Sequence, residues 1–285
     1  MGRDTRIEWV DHTFNPWIGC TRIASGHQPS ACDNCYAAAM SHRRGWARFE
    51  HAAPRRRTTA SNWRQPLAWN RRAAAAGVRA RVFGPSLADP FDAEVADDWR
   101  RDYLALIEAT PWLDWILLTK RPQVARKFFA GRAVPDNLWP GITAETQKML
   151  DLRAPALCAI PARVHVLSAE PMLGPIDATR WLGSGRHALG WVIAGGESGP
   201  RARPSHPAWL RDLRDQCVGA GVPFFFKQWG EWRPADAAVA TAAATQRRHV
   251  FDDPVEAVEK VGRRSAGAAL DGRPWRQAPL QDDRP

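Results

Sequence analysis

The sequence predicts an α/β fold built on a parallel sheet or barrel. Apolar runs of strand length recur along the chain, each ends in a polar cluster, and helical stretches fit between them. The 285 residues, 45% hydrophobic, suffice for one sizeable core.

A first strand is expected around residues 7–14, ahead of Cys20. Arg81-Val82-Phe83-Gly84 then leads to a polar turn ending at Asp89. Trp115-Ile116-Leu117-Leu118 leads to Thr119-Lys120-Arg121-Pro122, and Leu138-Trp139-Pro140-Gly141-Ile142 to Thr143-Ala144-Glu145. Val164-His165-Val166-Leu167 leads to Ser168-Ala169-Glu170-Pro171. Trp191-Val192-Ile193-Ala194 leads to Gly195-Gly196-Glu197-Ser198, and residues 222–226 lead to Lys227-Gln228-Trp229. Helices are expected at 93–109, where Val95, Trp99, Tyr103, Leu106 and Ile107 recur near helical spacing, and at 146–157 and 207–221. Ser205 or His206 suits the cap of the last, Pro207 its first turn and Gly219 or Gly221 its end. At least five alternations of strand and helix argue for parallel strands. Each polar cluster then falls at the C-terminal end of a strand, the edge that carries the active site in α/β barrels. Asp89, Lys120, Glu145, Glu170, Glu197 and Lys227 should converge on one mouth.

This body covers residues 1–233. The remainder, 234–285, reads as a flexible Ala-rich insertion (234–245) and a small C-terminal extension, with Asp271-Gly272 marking a tight turn and 281–285 disordered.

The formal charge of +10 favours polyanions, of which nucleic acid is the commonest. Lysine stands only at 120, 127, 148, 227 and 260, so the charge is mostly Arg, a bias that a GC-rich genome also produces. Arg43, Arg44, Arg55, Arg56 and Arg57 are the candidate basic patch, with a solvated basic face as the plainer alternative. Most of the fifteen tryptophans sit in apolar stretches and belong to the core; Trp46, Trp229 and Trp232 lie near glycines and charges and are the candidates for exposure. No apolar run approaches membrane-span length, and the first residues lack a signal peptide's apolar stretch, so a cytoplasmic protein with reduced thiols is expected.

In that compartment clustered cysteines point to metal or catalysis. Cys32-Asp33-Asn34-Cys35 is a C-x2-C pair, and Cys20 lies upstream across a loop rich in Ser, Gly, Pro and His. Three thiolates on one 4Fe-4S cluster leave one iron open, whereas a structural zinc is closed by four ligands. His12, His27 or His42 could supply that fourth ligand, so the zinc alternative stays open on spacing. Cys158 and Cys217 sit in apolar helical surroundings and read as small core residues.

The string Ile7-Glu8-Trp9-Val10-Asp11-His12-Thr13-Phe14-Asn15-Pro16-Trp17-Ile18-Gly19-Cys20-Thr21, with Cys32-Asp33-Asn34-Cys35-Tyr36-Ala37, resembles the phage Gp37/Gp68 family, a three-cysteine-motif (DUF5131-like) group. The likeness continues through Leu117-Leu118-Thr119-Lys120-Arg121-Pro122, the Ser168–Pro175 stretch, Gly195-Gly196-Glu197-Ser198-Gly199, Phe226-Lys227-Gln228-Trp229-Gly230 and Leu270-Asp271-Gly272-Arg273. That group is similar, distantly, to radical-SAM enzymes. The resemblance implies a partial (β/α) barrel of six or seven parallel strands, a 4Fe-4S cluster on Cys20, Cys32 and Cys35, and S-adenosylmethionine on its open iron. Tyr36, Asp89 and Glu145 are then the candidates to hold the cofactor, and Lys120, Glu170, Glu197 and Lys227 those for the chemistry. The expected function is modification or repair of DNA, RNA or a nucleotide. The alternative is a non-catalytic nucleic-acid-binding protein braced by zinc or a cluster.

Overall fold

The computed structural model describes residues 5, 7–23, 29–235 and 247–280. Seven parallel strands form one curled sheet, a half-barrel: β1 (His12–Thr13), β4 (Ala80–Phe83), β5 (Leu113–Thr119), β6 (Leu138–Thr143), β7 (His165–Ala169), β8 (Leu189–Gly195) and β9 (Phe224–Gln228). Spatial order follows chain order, as expected of right-handed strand–helix repeats. β2 (Trp17–Ile18) and β3 (Arg56–Arg57) make a small ribbon beside it. The helices are α1 (Tyr36–Arg44), α2 (Ala60–Ala76), α3 (Asp97–Glu108), α4 (Pro122–Phe129), α5 (Gln147–Cys158) and α6 (Pro207–Gly219). The six later strands and the helices α3, α5 and α6 match the sequence expectation. The first strand is shorter than residues 7–14, because only His12 and Thr13 pair with β4.

Strand alternation sorts the side chains into two cores. Leu113, Trp115 and Leu117 of β5, Leu167 and Ala169 of β7, and Phe224 and Phe226 of β9 face the helices, packing with Tyr103, Ala125, Leu150 and Leu213. The opposite set, Phe83, Ile116, Trp139, Val166, Trp191, Ile193 and Phe225, fills the concave side, joined by Trp9 from the N-terminal segment. Trp9 lies 4.8 Å from Phe83 and 6.0 Å from Trp191, and Trp139 meets Trp191 edge to face at 6.2 Å. These rings fill the N-terminal half of the barrel. Carried further along the same strands, the alternation puts Lys120, Glu170 and Lys227 on the concave side at the other end. Gly141 is required on that side: a Cβ there would stand 2.7 Å from both Leu118 Cδ2 and Val166 O.

His206 caps α6 as expected, its ring accepting from Ala208 N, and Pro207 opens the helix. β10 (Trp232–Pro234), β11 (Arg248–Asp252) and β12 (Val255–Lys260) form an antiparallel sheet against Ala202, followed by α7 (Arg263–Ala266). Asp271-Gly272 is the tight turn the sequence predicts. Both residues have positive φ (51° and 76°), and Leu270 pairs with Arg273 across them. Beyond it, Trp275 O accepts from Phe226 N and Gln277 N donates to Phe224 O, so the C-terminal segment covers the free edge of β9. The expected flexible insertion falls mostly, and the expected disordered end wholly, outside the described residues.

Two tryptophans expected at the surface are buried instead. Trp229 and Trp232 are 5% and 8% exposed, and their ring N–H groups donate to Ala269 O and Ala202 O. Glycines and charges neighbour them in sequence because close backbone crossings are made there: a Cβ on Gly196 would stand 2.0 Å from Trp229 O. No helix among the described residues is long and apolar enough to cross a membrane.

The Arg79 guanidinium grips Asp114, which is fully buried, at 2.6 Å. Arg79→Ala takes this guanidinium away from the buried carboxylate. Urea unfolding should show a loss of about 3–5 kcal/mol, and an unchanged midpoint would refute the pairing's importance.

Candidate functional site

The cysteine loop lies across the C-terminal mouth of the sheet, and three arginine–carboxylate locks fasten it there. The first is at Cys20. Gly19 N donates to Leu87 O, and Thr21 N to Asp92 Oδ2. Arg121, just after β5, pairs with Asp89 at 2.9 Å, donates to Thr21 O, and brings Nη1 to 3.8 Å from Cys20 Sγ. Asp89 also accepts from Thr119 Oγ1 and Lys120 N, so it is tied to the end of β5. The second lock is at Glu145 after β6. One of its oxygens accepts from Ala31 N at 3.1 Å, and the other takes Arg153 of α5 at 2.8 Å. The third is Glu197 after β8, held by Arg203 at 2.6 Å and accepting from Asn34 Nδ2 at 3.0 Å. Arg203 reaches on to Asp33 and to Ser30 O.

Within the loop, Ser30 N donates to Asp33 Oδ2 and Asp33 N to Ser30 O, closing a turn that carries Cys32. Cys35 stands at the N-cap of α1. Cys20 and Cys35 pack on one small apolar cluster made by Ile18, Ala37, Ala38, Phe49 and Leu87. All three thiols are free and half-buried, whereas Cys158 and Cys217 are buried in the helix-facing core, as expected of small core residues. Among the described residues no three His, Cys, Asp or Glu side chains gather closely enough to hold one metal ion. Of the histidines considered as a fourth zinc ligand, His12 stacks on Trp69 of α2, His42 lies in the last turn of α1, and His27 is outside the described residues.

Burial, and next the charge of Asp89, push the Cys20 thiol up to about 12, against the pull of Arg121. In the metal-free protein Cys20 is therefore a neutral thiol held ready beside a fixed cation. A donor set of three soft sulfurs, one of them next to a guanidinium that can offset thiolate charge, suits a thiolate-held cluster.

The other expected residues divide into two groups. Asp89, Glu145 and Glu197 are buried and saturated by arginines and backbone N–H groups, so each carries a share of the loop. Glu170, Lys227, Lys120 and Tyr36 are more open. Lys227 Nζ lies 3.1 Å from Glu170 Oε1, with the two side chains 29% and 13% exposed. Lys120 has no ion-pair partner among the described residues, and only its backbone N–H is engaged. The Tyr36 ring is more than half exposed, its hydroxyl donates to Ser86 O at 2.8 Å, and it lies within electrostatic reach of Cys35 and Glu170. Arg153, Arg203 and Asn34 were not visible as site residues in the sequence. Arg153 sits among apolar residues of α5, and Arg203 and Asn34 carry no spacing signal.

The basic patch is smaller than expected. Arg55 is withdrawn from the surface, its side chain 2% exposed and paired with Asp92 and Glu94. Arg57 pairs with Asp102 and lies over Trp63. Arg43, Arg44 and Arg56 remain exposed, with Arg44 over the half-buried Trp46 at 5.4 Å.

A family model described as "Protein of unknown function (DUF5131)" matches residues 4–279. No curated protein and no solved structure matches the chain.

Two outcomes are expected. Arg203→Ala releases two contacts on the loop, to Asp33 and to Ser30 O, together with the pairing to Glu197, so residues 29–35 should exchange amide hydrogens faster, while β5 and β6 stay protected; equal protection would show that the loop does not depend on it. The second concerns Cys20. A folded pKa raised above the ordinary 9.0 favours the neutral thiol. That contribution is complete below about pH 9 and drains away as pH rises toward 12. In the metal-free protein, iodoacetamide labelling of Cys20, followed by peptide mass spectrometry, should keep accelerating beyond pH 10. A plateau near pH 9 would contradict the assignment.

Proposed function

The chain belongs to the DUF5131 family, and from that premise and the site geometry we propose an iron–sulfur enzyme of radical-SAM-like type that modifies or repairs nucleic acid or a nucleotide. One observation carries the reading: three half-buried thiols ride on a loop locked across the C-terminal mouth of a parallel half-barrel. The resemblance to radical-SAM enzymes and to the phage Gp37/Gp68 group adds to it. A cluster joins each thiolate to a different iron, so it asks for sulfurs around a perimeter rather than at a point.

In this reading Cys20, Cys32 and Cys35 hold a 4Fe-4S cluster, which when bound supplies one-electron reduction of S-adenosylmethionine and hence hydrogen abstraction from a substrate. The protein's own residues position and insulate. Arg121 sets a positive charge beside Cys20, and Asp89 fixes its direction. Glu145 and Glu197 are positioning residues, because their contacts reach Ala31 and Asn34 on either side of Cys32. The tryptophans of the lower barrel keep water from below. Lys120 offers a cation to a phosphate or carboxylate, and Tyr36 offers a ring face for stacking. The Glu170–Lys227 pair, partly open at the mouth, offers an ammonium and a carboxylate to polar groups of a substrate. Arg43, Arg44 and Arg56 suit a nucleic-acid backbone approaching the rim.

Anaerobic purification should give a brown protein with roughly four irons and four sulfides per chain, and Cys32→Ala should lose most of both. With S-adenosylmethionine and a reductant, the intact protein should form 5′-deoxyadenosine. A colourless protein carrying one stoichiometric zinc would defeat the proposal.

A further inference from the structure

At the opposite edge of the sheet from the cysteine loop lies a groove of about 730 Å³ that plays no part in the site above. It runs between the C-terminal ends of α4 and α5, whose following loops enter β6 and β7 at their N-termini. Gln123, Arg126, Lys127 and Arg132 supply its polar lining, and Ala130, Ala159, Ile160 and Pro161 its apolar one, over the buried Phe129 ring. It has no carboxylate in its lining. Arg126 and Lys127 are exposed and have no ion-pair partner among the described residues. Arg132 is also exposed; it donates to Phe128 O, stacks over the Phe128 ring and has no acidic partner among the described residues. Arg186, whose guanidinium donates to Pro161 O at the groove's edge, is paired with Asp136 and adds no free charge.

Cations in the last turn of a helix also complement its dipole. That effect needs one charge near the α4 terminus and does not account for a concave site with three cations and no acid. The volume lies within the range of small-ligand pockets. An apolar floor bordered by cations matches a nucleotide unit, its base against the exposed Ala130, Ala159 and Pro161 and its phosphate on Arg126, Lys127 and Arg132.

We propose that this groove binds a nucleotide unit through its phosphate oxygens, as a second site at the far end of the barrel. The unit comes either from a nucleic-acid strand or from a free nucleotide. The assignment does not rest on the cluster.

The test uses the full chain and the triple variant Arg126→Ala, Lys127→Ala, Arg132→Ala. The probes are a fluorescent oligothymidylate, read by anisotropy over a salt series, and ATP, read by calorimetry. The three side chains are exposed, so the variant should fold, which circular dichroism checks. The intact chain should bind one or both probes. For a strand, the variant should bind about tenfold or more weakly, with the slope of log affinity against log salt reduced by about 2. A strand response alone assigns the groove to nucleic acid, and an ATP response alone to a free nucleotide. Binding of neither probe by the intact chain, or equal binding by the variant, overturns the proposal. Loss on Arg43→Ala/Arg44→Ala but not on the triple variant would move the phosphate contact to the rim and overturn it as well. Repeating the series on Cys32→Ala separates the two proposals: groove binding should persist there whether or not a cluster forms.

Discussion

The cysteine loop is held by charge. Asp89–Arg121, Glu145–Arg153 and Glu197–Arg203 stand after three different strands, and each joins a strand end to the chain segment bearing the thiols. The loop buries too little apolar surface to order itself, since its cluster of Ile18, Ala37, Ala38, Phe49 and Leu87 is small. The guanidinium's planar fork lets one side chain satisfy a carboxylate and backbone oxygens together, as Arg203 does with Glu197, Asp33 and Ser30 O. Breaking one partner of such a pair strands a buried charge, so each lock costs far more to lose than a surface bridge.

Against that rigid frame the remaining polar groups at the mouth stand out. Glu170 and Lys227 are a carboxylate and an ammonium rather than a carboxylate and a guanidinium, and both are partly open. Lys120 is free of acids among the described residues. The same alternation that directs Trp139 and Trp191 inward below directs these side chains inward above. The barrel is therefore dry and aromatic in its lower half and charged in its upper half, and the boundary follows from the sequence of each strand.

Most of the fold was legible because buried parallel strands write themselves as unbroken apolar runs, as in Trp115-Ile116-Leu117-Leu118, and the polar residues after them mark the mouth. The first strand was overestimated, because Trp9 and Val10 are apolar for a different reason: they plug the barrel rather than pair in it. Trp229 and Trp232 misled because sequence neighbours do not report backbone crossings. The convergence of the acids was legible, but not their division into locks and open groups. That division depends on Arg153 and Arg203, which approach from a helix and a loop whose spacing has no relation to the strands. Arg55 shows the same limit, since a run of arginines says nothing about which of them finds a buried Asp92.

The two outer strands, β1 and β9, do not pair with each other, so the sheet has a seam. Below, the seam is stitched by Glu8 with Arg276 and by the Trp191 ring N–H on Gln277 O. Above, no strand among the described residues spans it. A closed ring would need no such stitching, because strand pairing itself would join its ends; here side chains and the C-terminal segment do that work.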